Sequence, residues 1–351
     1  MSTKSRMNEP KQPGRDELLK AVLLLRAKAH GKSQAYGCFL DEQPTEWVPQ
    51  RSRQALEAVA DNVELVVNSS FRCQSGADLP REVRDCAAPL EKFLRGHPIA
   101  WVEDPGSCIW APFWARDEWA EVIQSLQPGL PEPFGLSSAV RRVLAMANIL
   151  VTRGYEQARQ TRWQEICQSA QSRYRSDGYA VVRDLLHPLQ LGAMRRYYRA
   201  LVAEGGLPLG DSQVAGRYRL HSEVIASFLH PQLAKLVSAI AGEPVRPSYV
   251  YFASYQPGAD LPRHVDREQC EFSISLLTDY VPDPAGPCGW PLFMQNPGLP
   301  GAAHAADLGV GDGVFYRGRE LIHYRHPLPA GHQSTSIFMH YVRADFAGKL
   351  W

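Results

Sequence analysis

Apolar positions run in two rhythms along the chain, and the change falls near residue 245. Before it, apolar residues recur at helical spacing. After it, they sit in short runs or alternate with polar residues between Pro/Gly turns. The run DELLKAVLLLRAKAH (16–30) has an acidic start, a Leu-rich interior and a basic end, which predicts a helix. RSRQALEAVADNVELVV (51–67), PLEKFLRG (89–96) and RDEWAEVIQSL (116–126) continue the helical rhythm, separated by loops with Pro, Gly and Cys. The segment LQPGLPEPFG (126–135) holds three prolines and two glycines and reads as a linker. A long helical stretch follows over 137–177, with Ser at its start and Gly178 at its end. GYAVVRD reads as a strand, and two further helices end at Gly206 and Gly242. Six strands follow: RPSYVYFASYQ, CEFSISLLTDY, WPLFMQ, GVFYRG, ELIHYRH and STSIFMHYV.

This order predicts an α+β chain: a polar tail over 1–15 that reads as disordered, a mainly helical accessory region over 16–135, and a helix-buttressed β-sandwich over 136–351. Composition adds little beyond exclusions. Charged residues at 21% and apolar ones at 44% are ordinary for a globular protein. A net charge of +1, with no basic stripe, gives no reason to expect nucleic acid or an anionic membrane as partner. No uncharged apolar run reaches a membrane span, and the polar start has no signal-peptide core. Seven scattered cysteines without a CxxC pair read as reduced thiols, including Cys270 and Cys288, which are expected as small buried residues. The expectation is a soluble cytoplasmic protein.

Chemistry concentrates in His264-Val265-Asp266 and in His323. His264 and Asp266, two apart on a strand, project to one face. His323 lies 57 residues beyond Asp266, after the turn Gly311-Asp312-Gly313, and a late strand of a β-sandwich can return beside an early one. Two imidazoles and one carboxylate make a three-ligand face for iron(II) and leave the other positions of an octahedron open. Structural zinc would close its shell with four ligands, usually sulfur-rich. Other histidines fit less well: His326 faces the opposite side of the strand from His323, His340 sits in an apolar strand, and His332 lies in a Gly-containing turn.

The ordered strings YQPGADLPRHVD, FSISLLTDY, WPLF, GDGVFYRGRELIHYRH and STSIFMHYV resemble the iron(II)/2-oxoglutarate-dependent oxygenase superfamily, its prolyl-hydroxylase-like and phytanoyl-hydroxylase-like members above all. The resemblance covers about residues 175–351. It implies a double-stranded β-helix (jelly-roll) core, iron(II) held by His264, Asp266 and His323, and 2-oxoglutarate and O₂ as co-substrates. Asp266 argues against the halogenating branch, which carries a small residue there. The resemblance fails at one position: where the family places an Arg or Lys for the far carboxylate of 2-oxoglutarate, this chain has Gly331-His332-Gln333-Ser334-Thr335-Ser336.

Arg325 is the expected replacement. It shares the strand face of His323, about 6–7 Å further along, and a guanidinium suits a carboxylate. Ser334, Ser336, Tyr255 and Tyr251 are expected to add hydroxyl contacts, with Arg263 and Arg343 weaker alternatives to Arg325. Arg217 and Gln213, in a loop that would cap such a site, and Trp290, in its wall, are expected substrate contacts. The function expected is a dioxygenase that hydroxylates an unactivated C–H bond of a small metabolite, amino acid or peptide, releasing succinate and CO₂. Two alternatives stay open: a non-catalytic metal-binding jelly roll, and an iron oxygenase that does not use 2-oxoglutarate. The accessory region could recognise substrate, buttress the barrel or mediate a homodimer.

Overall fold

Strands that carry a polar residue at every second position need two different neighbours, and the second half of the chain provides both. The computed structural model describes residues 36–350 apart from 42–44, 58–62, 77, 299–300 and 302. The expected tail over 1–15 and helix over 16–30 lie outside the described residues. The first described helix is α1 (Gln50–Glu57), followed by the strands β1 (Leu65–Val67), β2 (Arg72–Gln74), β3 (Ile99–Glu103) and β4 (Trp110–Trp114). The short helix α2 (Arg84–Ala87) lies between β2 and β3, and α3 (Asp117–Ser125) follows β4. Then come α4 (Ser138–Met146), β5 (Leu150–Thr152), α5 (Tyr155–Asp177), β6 (Tyr179–Val182), α6 (Pro188–Ala203), β7 (Arg217–His221) and α7 (Val224–Ala241).

The remaining strands are β8 (Val245–Tyr255), β9 (Leu261–His264), β10 (Phe272–Val281), β11 (Leu292–Gln295), β12 (His304–Ala306), β13 (Gly313–Tyr316), β14 (Ile322–Arg325) and β15 (Gln333–Arg343). They form a six-stranded sheet in the order β6-β13-β10-β15-β8-β7 and a four-stranded sheet in the order β12-β11-β14-β9, all neighbours antiparallel. This is the jelly roll the sequence predicts.

β15 shows how the residues build it. Ile337, Met339 and Tyr341 join the core shared with α6 and α7, which packs the helices onto the outer face of the large sheet. Ser334, Ser336, Phe338 and His340 alternate onto the other face. There a second cluster, with Tyr255, Leu277, Trp290, Met294, Val314 and Tyr316, fills the space toward the small sheet. One face is therefore oily and sealed by helices, and the other carries polar groups into the sandwich.

Three expectations change. The helix expected over 137–177 is two helices with β5 between them: Asn148 (φ 54°) and Gly154 (φ 86°) take left-handed conformations that no helix continues through. Ser137 caps the first of the two, its side chain accepting from the Val140 N–H at 3.2 Å. The expected helix over 51–67 is described as helix only to Glu57, and 65–67 is a strand paired with β5. The accessory region also carries a three-stranded sheet, β2-β3-β4, which helical periodicity does not reveal. β3 and β4 are buried along nearly their whole length, so alternation is absent.

The stretch 126–135 is tied to β1: the Val67 N–H donates to the Leu130 carbonyl at 2.8 Å and the Gly129 N–H to the Val67 carbonyl at 2.9 Å. α7 is long and apolar enough to cross a membrane by length and composition, but half of it is buried against the core. The seven cysteines, all among the described residues, form no disulfide.

Candidate metal centre

β9 and β14 are neighbours in the small sheet, and their register sets His264 directly opposite His323. The two rings lie 4.2 Å apart between centroids. Asp266 follows β9, with its backbone N–H donating to the Gly318 carbonyl at 2.7 Å. Its Oδ1 is 3.5 Å from His323 Nε2 and 3.8 Å from His264 Nε2. One ligand atom from each of the three residues lies within 4.8 Å of the others.

The tautomers follow from the backbone. His264 Nδ1 is 2.8 Å from the Pro262 carbonyl, and His323 Nδ1 is 2.9 Å from the Leu321 carbonyl. A carbonyl only accepts, so both Nδ1 atoms carry the proton and both Nε2 lone pairs are turned toward Asp266. Burial, with His323 beside it, pushes His264 below its ordinary value, which keeps it neutral and able to ligate. Asp266 sits below its ordinary value although burial alone would raise it, because three imidazoles surround it. Two imidazole nitrogens and one carboxylate oxygen gathered this closely fit a divalent first-row metal with open positions.

Arg325 is 5% exposed. Its Nη1 donates to the Trp290 carbonyl at 2.6 Å, and its guanidinium lies 4.4 Å from the Trp290 ring centroid. Among the described residues no carboxylate stands within ion-pair distance of it, and burial pushes its pKa down. Trp290 packs edge-on to Tyr255 at 5.2 Å, and its indole N–H donates to the His326 carbonyl at 2.7 Å. The hydroxyls of Ser334 and Ser336 are fully buried and have no hydrogen-bond partner among the described residues. A buried guanidinium and two buried hydroxyls without partners are donors whose chemistry fits a carboxylate.

Arg217 is buried and engaged: it pairs with Asp211 at 2.6 Å, and donates to the Tyr255 hydroxyl at 3.1 Å and the Gln213 amide oxygen at 3.2 Å. The Tyr251 hydroxyl donates to the same Asp211 carboxylate at 2.8 Å. Burial would raise Asp211, but the Val214 N–H and Arg217 bring it to about 2. Arg263 stands outside this group, over Tyr324 and bonded to Gln295. Arg343 pairs with Glu243. His326 packs on Phe293 and Tyr324, and His332 on Tyr280, away from the ligand atoms. Cys288 lies against Asp307 and the Trp290 carbonyl.

Motif spacing does not point to two other residues, Ser273 and Gly318. Ser273 Oγ donates to Asp266 Oδ2 at 3.0 Å and lies 2.9 Å from His340 Nδ1. Asp266, Cys270 and His340 form a second cluster around the same carboxylate. Gly318 is the floor of the site: a side-chain carbon there would overlap Asp266 Oδ2, the Cys270 carbonyl and Ser273 Oγ. The FSISLL alternation places Ser273 on the inner face, which is the one sequence signal for it.

No family model and no curated protein matches the chain. Among solved structures it is similar to the non-heme α-ketoglutarate-dependent epimerase SnoN from nogalamycin biosynthesis, at 18% identity over 52% of this chain and 82% of that one, with a TM-score of 0.43. It is similar to a Pseudomonas putida prolyl-4-hydroxylase at 21% identity, over 50% of this chain and 98% of that one, with a TM-score of 0.41. A third is AviO1 from Streptomyces viridochromogenes Tue57, at 23% identity over 52% and 97%, TM-score 0.41.

Proposed function

We propose that this chain is an iron(II)- and 2-oxoglutarate-dependent dioxygenase that hydroxylates an unactivated C–H bond of a small metabolite, amino acid or peptide. The observation that carries the reading is the meeting of the His264, Asp266 and His323 ligand atoms within 4.8 Å of one another, with the buried guanidinium of Arg325, which no carboxylate pairs among the described residues, two residues along β14. When bound, iron(II), 2-oxoglutarate and O₂ supply the oxidising chemistry, and the co-substrate leaves as succinate and CO₂.

The chain's own work is positional. His264 and His323 offer Nε2 because Pro262 and Leu321 hold their Nδ1–H groups. Asp266 offers Oδ1, the oxygen nearest both imidazoles. Arg325 takes the far carboxylate of 2-oxoglutarate, with Trp290 shielding its face from water and strengthening the pair. Ser334 and Ser336 supply the hydroxyl donors that the carboxylate needs and that the protein leaves unpaired. Arg217, fastened to Asp211 and Tyr255, holds the pocket wall and presents the half-buried Gln213 to substrate.

Succinate formation on adding iron(II), 2-oxoglutarate and ascorbate in air tests the proposal. The wild type releases succinate above background even without its substrate, and His264→Ala and Asp266→Ala do not. Silence from the wild type across candidate amino acids and metabolites favours a binding jelly roll. Turnover that Arg325→Ala leaves intact favours an iron oxygenase without 2-oxoglutarate.

A further inference from the structure

Asp266 has two oxygens and one metal to serve, and the structure treats the two differently. Oδ1 faces the imidazoles of His323 and His264, whereas Oδ2 is taken by Ser273 at 3.0 Å. We infer that Ser273, itself held by His340, is a positioning residue that dictates which oxygen Asp266 gives to the metal and keeps that carboxylate monodentate. The inference rests on the metal reading above and adds to it a role for two residues outside the ligand set.

The direction of the chain of hydrogen bonds follows from proton counting. Ser273 has one hydroxyl proton, and its polar neighbours are Asp266 Oδ2, His340 Nδ1 and the Tyr316 hydroxyl. A carboxylate cannot donate, so the Ser273 proton goes to Asp266, and His340 Nδ1–H donates to Ser273 Oγ in turn. The register of the large sheet fixes the geometry, because Ser273 on β10 is the cross-strand partner of His340 on β15 and of Tyr316 on β13. Both side chains are buried, and neither is free to swing.

His340 is clamped on its other sides. Its ring lies 4.5 Å from that of Tyr249 between centroids. Its backbone carbonyl accepts from His230 Nε2, 2.7 Å away on α7. Cys270, the third member of the second cluster, has its sulfur 3.1 Å from the Tyr249 hydroxyl. With His340 Nδ1 spent on Ser273, this cluster supports Asp266 from behind. Gly318 completes the device, since any side chain there would overlap both Asp266 Oδ2 and Ser273 Oγ.

Cobalt(II) binding to the apo protein, followed by titration calorimetry and by its visible ligand-field spectrum, separates positioning from mere packing. Partners of this kind are typically worth about 10–100-fold in metal affinity. Ser273→Ala is expected to weaken cobalt(II) binding in that range and to change the band intensity, because a freed Oδ2 can reach the metal. Ser273→Thr restores both, and His340→Phe repeats the Ser273→Ala effect while His340→Asn, which keeps an N–H near Nδ1, recovers part of it. Thermal melting of the apo variants shows that they fold, and the His340 pair carries the test if Ser273→Ala does not fold. Wild-type affinity and an unchanged spectrum in Ser273→Ala or His340→Phe overturn the positioning role alone. A wild type that binds cobalt(II) no better than His264→Ala overturns the metal reading, and the positioning role with it.

Discussion

A guanidinium buried against an indole and bonded to a single backbone carbonyl has lost most of its water without gaining a counter-ion, which is costly in a folded protein. Arg325 should therefore be worth more to ligand binding than to stability. Arg325→Met, which keeps the volume and drops the charge, is predicted to leave the apo melting temperature unchanged or higher. It should also weaken 2-oxoglutarate binding about 10–100-fold, the scale of about 1.5–3 kcal/mol for hydrogen bonds to a charged group. Melting curves with and without 2-oxoglutarate read both effects, and a destabilised apo variant that still binds tightly contradicts the assignment. Gly318→Ala should fold yet lose metal affinity, since its methyl overlaps Asp266 Oδ2 and Ser273 Oγ; calorimetry with cobalt(II) checks it. At this scale spacing brings out His264, Asp266 and His323, because a His and an Asp two apart and a His after a turn leave a mark in the sequence. Gly318 leaves none, and Ser273 leaves only the alternation that turns it inward. Their part depends on which strands lie side by side, and only the register supplies that.

Asp312, in the turn before β13, joins the accessory region to the jelly roll. Its fully buried carboxylate accepts from Arg51 at 2.5 Å, from Arg183 at 2.6 Å and from the Gly309 N–H at 2.8 Å. Arg51 belongs to α1, so α1 is fastened to the turn that launches β13. Removing the buried carboxylate leaves Arg51 uncompensated, at up to about 3–5 kcal/mol, while the half-exposed Arg183 keeps its water. Asp312→Ala is predicted to lose stability on that scale in urea melts, and a loss below about 1 kcal/mol would show the cluster to be ornamental. Element legibility splits along the same line. β8, β10, β13, β14 and β15 stand out because one face is apolar and the turns between them carry Gly or Pro. β3 and β4 are buried on both faces and show no alternation. The break between α4 and α5 rests on backbone conformation at Asn148 and Gly154, which apolar spacing does not encode.

Across the whole molecule, buried histidines couple stability to pH. Burial pushes His187 and His230 down to about 4, where the ordinary value is 6.5. His187 Nδ1 accepts the Leu189 N–H at the start of α6, and His230 donates to the His340 carbonyl from α7. In the unfolded chain these rings take up protons near pH 6.5, and in the folded chain only near 4. Stability is thus present above pH 6.5 and is lost as pH falls from 6.5 toward 4, by up to about 1.4 kcal/mol per pH unit for each ring. Melting temperatures are predicted to fall between pH 7 and 5 with net proton uptake on unfolding, and a flat profile across that window would contradict these burials. The central claim, that the jelly roll holds iron(II) and 2-oxoglutarate together, is tested most directly by anaerobic titration of 2-oxoglutarate into the iron(II)-loaded protein, followed by visible absorbance. The account predicts a saturable charge-transfer band in the wild type that is absent in His264→Ala and needs far more 2-oxoglutarate in Arg325→Met. No band in the iron-loaded wild type, or one that Arg325→Met forms at the same concentration, would contradict it.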